Sequence, residues 1–261
     1  MRKTILVGIL CLLMMAVLTV MGAFTFPYQS LIYSAVSVIL FSGAGILLKA
    51  TSPDVGIRRF FRFRRPRLRN FFLIFWGTLS LVFGSFLLNF LTSCIGRALG
   101  FSLSSSLTSL ADGGWLISLV TVAIIPAVFE EIFFRGAVMS VLSERGTTYA
   151  VFVSAAFFVL MHGLDPYFLS TFFAGVVLAC VVTVTGSVYS SMVVHLVNNI
   201  MSYVLILYAE KLAIVQLDFY MLYGAGLLLL ISLIGLLTSV MHHYKKRKDR
   251  NRIPEREEQE T

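Results

Sequence analysis

Charge is scarce in this chain. Asp, Glu, Lys and Arg make up 13% of its 261 residues, about half the share of an ordinary soluble domain. Cysteine is scarce too: Cys11, Cys94 and Cys180 are scattered through apolar stretches with no pairing pattern, which excludes a disulfide framework and gives no sign of a thiol nucleophile. Two protease signatures are missing, the H-E-x-x-H of zincins and the G-x-S-x-G nucleophile turn. No internal repeat is visible, as a transporter built from paired, broken helices would show. Acid is outnumbered, 13 Asp and Glu against 21 Lys and Arg, for a net charge of +8. The basic residues flank apolar runs instead of interleaving with a soluble fold, so no nucleic-acid partner is expected.

Apolar residues supply 58% of the chain, with a mean hydropathy of +0.88. They lie in runs near the roughly 20 residues that a membrane span needs. The expected fold is all-α, a polytopic transmembrane bundle of about eight spans: 4–23, 31–48, 71–91, 115–142, 150–161, 168–185, 188–207 and 219–241. The fifth is short and would cross only part of the bilayer. Arg2, Lys3 and the run after them imitate a signal peptide, but the run is long and lacks a small-residue cleavage site, so it reads as a retained span. The ending EREEQET holds no C-a-a-X box, so the chain is not itself expected to be prenylated.

Lys and Arg set the expected orientation. Basic clusters precede span one, fill the loop 58–69 after span two, and follow span eight from Lys245 to Arg252. An even number of spans puts all three on the cytoplasmic side, with both termini, in a plasma membrane. The loop RRFFRFRRPRLRN alternates arginine with phenylalanine. Its first reading is a topology signal; the second is a contact with anionic lipid, rings in the interface and guanidinium groups on phosphates. The tail after span eight reads as solvated and partly disordered. Three regions follow: 1–114 with three spans, 115–207, and 208–261 with the last span and basic tail.

Span four contains PAVFEEIFFRG. An ionised side chain at the centre of a span costs on the order of 2.5–3.5 kcal/mol, so Glu130, Glu131 and Arg135 must face protein or a water-filled cavity. Glu131 and Arg135 are one turn apart and can pair. Glu130 points about 100° away, so one carboxylate is neutralised and the other stays free. Span five ends FFVLMHG, with Phe158 and His162 at i and i+4. Span seven, SVYSSMVVHLVNNI, places His195 and Asn199 on one face, with Ser187 as its N-cap.

A carboxylate and a histidine can hold and deprotonate a water. A second histidine and an amide can donate to the oxyanion of a tetrahedral intermediate. That equipment suits peptide hydrolysis without a covalent intermediate. The residue types also suit zinc, with Glu130, His162 and His195 as ligands and water in the fourth position. Both readings stay open at this level. The competing functions are a non-catalytic immunity or scaffold protein and a proton-coupled transporter using Glu130.

Glu130-Glu131-x-x-x-Arg135, Phe158-x-x-x-His162 and His195-x-x-x-Asn199 together resemble, in order, the three motifs of the CPBP family. That family includes the eukaryotic CAAX prenyl endopeptidase and bacterial relatives linked to bacteriocin immunity or processing. The resemblance covers about 115–207. It implies an intramembrane endopeptidase in which Glu130 and His162 activate water and His195 and Asn199 bind the oxyanion, supported by Glu131, Arg135 and Phe158. It also implies a catalytic cavity open to the cytoplasmic side and a membrane-anchored peptide or protein as substrate. The family has been described both as metalloproteases and as glutamate-dependent; the metal-free mechanism is the expectation adopted. A bacterial plasma membrane is the expected setting, where no prenylated substrate is expected.

Overall fold

A chain in hydrocarbon has no water to bond its backbone, so long apolar runs close their hydrogen bonds internally as helices. In the structure, a computed structural model, the backbone is described for residues 2–25, 27–100, 114–163, 166–212 and 219–257. Side chains are described there except at 206–212, 219–222 and 246–257. The helices are α1 (Arg2–Gly22), α2 (Gln29–Ala50), the single turn α3 (Ile57–Phe60), α4 (Phe71–Ala98), α5 (Trp115–Arg145), α6 (Thr147–Met161), α7 (Phe168–Thr185), α8 (Val188–Leu212) and α9 (Phe219–Glu257). Among the described residues there is no strand. Ile9, Leu13, Ile39, Ile46 and Leu237 are exposed, an apolar exterior suited to lipid.

Seven of these helices are long and apolar enough to cross a membrane; α6 is not. Its 15 residues rise about 22 Å, short of the roughly 30 Å hydrocarbon core. The expectation of eight spans is therefore corrected to seven, with α6 as a shorter apolar helix. The basic tail also differs from expectation: α9 stays helical to Glu257, and 258–261 lie outside the described residues.

Polar contacts gather five segments at one end of the bundle. Lys3 Nζ meets Glu144 Oε1 at 2.5 Å and donates to Ser52 Oγ at 3.3 Å. Arg62 Nη2 donates to Ser143 Oγ at 3.1 Å. The Ser187 hydroxyl donates to the Arg64 carbonyl, so it ties two loops together instead of capping α8. His243 Nε2 lies 3.0 Å from Asn70 Oδ1. The N-terminus, the loop after α2, the α5–α6 and α7–α8 turns and the late part of α9 thus share this basic end. α6 and α7 form a hairpin that leaves this end and returns to it.

Small residues let the helices close on one another, which in lipid substitutes for hydrophobic attraction. A Cβ at Gly235 of α9 would stand 2.4 Å from the Trp76 ring of α4, and one at Gly84 of α4 would stand 2.2 Å from Phe173 of α7. Gly175 of α7 lies against Ala155 of α6, where a Cβ would come within 2.9 Å of backbone. With the basic end in the cytoplasm, reporter fusions after Arg69 and after Arg252 are both expected to report cytoplasm. An external signal from either would reject that orientation.

Candidate active site

Helix α5 is not a uniform α-helix. Residues Leu119–Ile124 and Ile132–Val138 are π-helical, flanking the α-helical turns Ile125–Glu131. Pro126 follows the first π segment and offers no N–H to the ladder, a recognised cause of local rearrangement. Glu130 and Glu131 therefore sit between two loosened turns, and Arg135 lies within the second.

Glu131 and Arg135 are fully buried and paired, Glu131 Oε1 to Arg135 Nη1 at 3.1 Å. The same carboxylate oxygen accepts from His195 Nδ1 at 3.0 Å. Arg135 Nη2 also donates to the Gly175 carbonyl at 3.2 Å, and its guanidinium carbon stands 4.4 Å from the centre of the Phe158 ring. One cation thus links α5, α6, α7 and, through Glu131, α8, by charge-assisted hydrogen bonds and a cation–π contact.

These contacts fix ring orientation. A carboxylate only accepts, so His195 carries its proton on Nδ1 and turns Nε2 outward. His162 Nδ1 faces the Phe158 carbonyl at 2.8 Å, which again only accepts. Nδ1 is the protonated nitrogen there, and Nε2 is left for chemistry. That Nε2 stands 3.9 Å from Glu130 Oε2, beyond a direct hydrogen bond. Glu130 Oε2 is buried and has no hydrogen-bond partner.

Phe158 is the common neighbour, its ring centre 4.5 Å from that of His162 and 5.9 Å from that of His195. Asn199 is half-buried, one turn beyond His195 on α8. The structure therefore brings Glu130, Glu131, Arg135, Phe158, His162 and His195 together. The i,i+4 pairing of Glu131 with Arg135 stands as the spacing predicts. The link from Glu131 to His195, 64 residues on, was not foreseen. Two further neighbours went unsuspected: the Gly175 carbonyl, and Tyr33 of α2, which lies within electrostatic reach of Glu130. Neither carries a sequence signal, since one is a backbone atom and the other sits in an otherwise ordinary apolar span.

No three of the described His, Cys, Asp and Glu side chains converge closely enough to hold a metal ion. Glu131 is committed to Arg135 and His195, and the zinc set Glu130, His162 and His195 is not gathered at ligand distance. As placed, these residues do not fit a zinc site.

Removing Arg135 strands Glu131 in a low-dielectric interior. Arg135→Ala is expected to cost about 3–5 kcal/mol, seen as lost abundance and a lower unfolding temperature in detergent. Replacing both partners, Glu131→Leu with Arg135→Met, should recover much of that stability, because no unpaired charge is left. A double variant as unstable as Arg135→Ala would show that packing, not charge, holds this point.

Residues 112–201 match the family model described as type II CAAX prenyl endopeptidase Rce1-like. No curated protein and no solved structure matches the chain. The matched stretch contains all seven residues singled out from the three motifs, from Glu130 to Asn199. In residues 112–201 this multi-pass membrane protein carries a domain of the Rce1-like CAAX prenyl endopeptidase family.

Proposed function

We propose that the protein is an intramembrane endopeptidase that hydrolyses a peptide bond of a membrane-associated peptide or protein with a water activated by Glu130 and His162. The observation that carries this reading is the division between adjacent carboxylates. Glu131 Oε1 is taken by both Arg135 and His195, while Glu130 Oε2 makes no hydrogen bond and faces His162 Nε2 at 3.9 Å. Two acceptors at that separation can share one water, which neither could hold as firmly alone.

In the proposed reaction the water oxygen attacks the scissile carbonyl carbon and its proton passes to Glu130 or His162. The carbonyl electrons move onto oxygen. The Asn199 amide, and His195 Nε2 once it takes up a proton, donate to that oxyanion. Collapse breaks the C–N bond, and the held proton goes to the leaving amine. The metal-free form is preferred because the candidate ligands do not converge.

Glu130→Gln is expected to abolish cleavage while the protein still folds and inserts. Asn199→Ala should slow turnover by about 10²–10³-fold, as for loss of one oxyanion donor elsewhere, with substrate affinity much less changed. Cleavage can be read from membrane proteomes of wild-type and Glu130→Gln strains as accumulation of uncut precursors. Near-normal activity in Glu130→Gln would remove it as the base. Stoichiometric zinc, with activity lost on its removal and restored by its return, would overturn the metal-free form.

The approach side follows from the same placements. His162 ends α6, about 22 Å along it from the basic end, and its side chain is 38% exposed. Between the basic end and the Arg135 turn lie the buried rings of Phe60 and Phe61, with Phe61 backbone 3.3 Å from where a Gly136 Cβ would stand. The substrate is therefore proposed to enter from the face opposite the basic loops, not from the cytoplasmic opening that the family resemblance implies. With the native cysteines removed, Pro166→Cys at the hairpin tip should react with a membrane-impermeant maleimide from outside the cell. Labelling only in inverted vesicles would reverse the assignment.

A further inference from the structure

The basic end holds a cavity of about 470 Å³ that lies apart from Glu130 and His162, a volume in the range of small-molecule sites. Four arginines of the loop after α2 line it: Arg59, Arg62, Arg64 and Arg69. Opposite them stand Ser143 at the end of α5 and His243 of α9. None of the described lining residues is acidic, and the nearby Glu144 is engaged by Lys3.

The arginines are held there by folding. Arg62 has a left-handed backbone, φ 56°, an uncommon conformation for a residue with a side chain. Its carbonyl accepts from the Val188 N–H at 3.1 Å, and the Ser187 hydroxyl holds the Arg64 carbonyl. Phe60 and Phe61 are buried, and Phe63 stacks between Phe61 and Tyr189 at 5.6 and 6.0 Å. The aromatic half of the loop thus anchors it in protein and does not lie in the lipid interface, while the arginine half surrounds the cavity. Burial holds the Arg62 guanidinium below its usual value, and its partner is the neutral Ser143 hydroxyl. Arg59, Arg62 and Arg64, with no carboxylate among the described lining, are poised for an external anion.

We propose that this cavity binds the phosphate of an anionic phospholipid headgroup. Phosphate oxygens match the planar, bidentate fork of the arginine guanidinium. The lipid source is favoured by what adjoins it. Directly after Arg69, the rings of Phe71, Phe72 and Phe75 at the start of α4 are exposed, an apolar path for acyl chains beside the headgroup site. Anionic lipid is also the species that juxtamembrane arginines attract, at about five-fold in affinity per residue.

The test uses the purified full-length protein in neutral detergent, with thermal unfolding followed as phosphatidylglycerol, phosphatidylcholine or inorganic phosphate is added. Arg59 and Arg64 are exposed and distant from the catalytic residues, so Arg59→Gln with Arg64→Gln should fold. Phosphatidylglycerol is expected to raise the unfolding temperature of wild type by several degrees, phosphatidylcholine not at all. The double variant should need about 25-fold more phosphatidylglycerol for the same shift. An equal response of variant and wild type would overturn the cavity as the site. A full, variant-sensitive shift with inorganic phosphate alone would overturn the lipid source and leave a soluble phosphate compound in its place.

Discussion

The buried pair of Glu131 and Arg135 is the contact on which the family-matched part of this bundle depends. Neither charge could face hydrocarbon, and each is tolerable only because the other is 3.1 Å away. The pair also organises what surrounds it. Arg135 reaches the Gly175 carbonyl and the Phe158 ring, and Glu131 holds His195 by its Nδ1. Three neighbouring helices are thereby referenced to one turn of α5. The π-helical stretch Ile132–Val138 sits at this turn, where departures from α geometry commonly accompany function.

Because Arg135 is paired directly with Glu131, its sequence neighbour Glu130 is left facing His162. Glu130 and His162 meet at the tip of a short hairpin, and the shortness of α6 matters for this. A full-length span would carry His162 past the bundle's interior. Fifteen residues stop it opposite Glu130 instead. The close approach of Gly175 to Ala155 then sets the two arms of the hairpin against each other, so that Arg135 can bond one arm's carbonyl and face the other arm's Phe158.

At the opposite end, aromatic and basic residues divide their work. Phe60 and Phe61 fill the space under Gly136 and shut the bundle, while Arg59 before them and Arg64 after them are exposed. One loop thereby closes the core and presents positive charge, which follows from alternating residues of opposite preference along a chain pinned by the Val188 N–H and the Ser187 hydroxyl.

The sequence by itself determined that this is a helical membrane protein, because runs of this length and polarity have no other stable form in lipid. It also determined that Glu131 and Arg135 pair, since helical spacing makes that contact local. Glu130, Glu131, Arg135, His162, His195 and Asn199 were legible as candidates because polar residues in apolar spans are conspicuous. Tertiary structure alone decided the rest. That Glu131 takes His195 and that Arg135 takes the Gly175 carbonyl are contacts between distant segments, set by how glycines and rings let helices close. The reach of α6, the burial of Phe60 and Phe61 and the ring of arginines depend likewise on packing between loops, which a period or a composition does not encode.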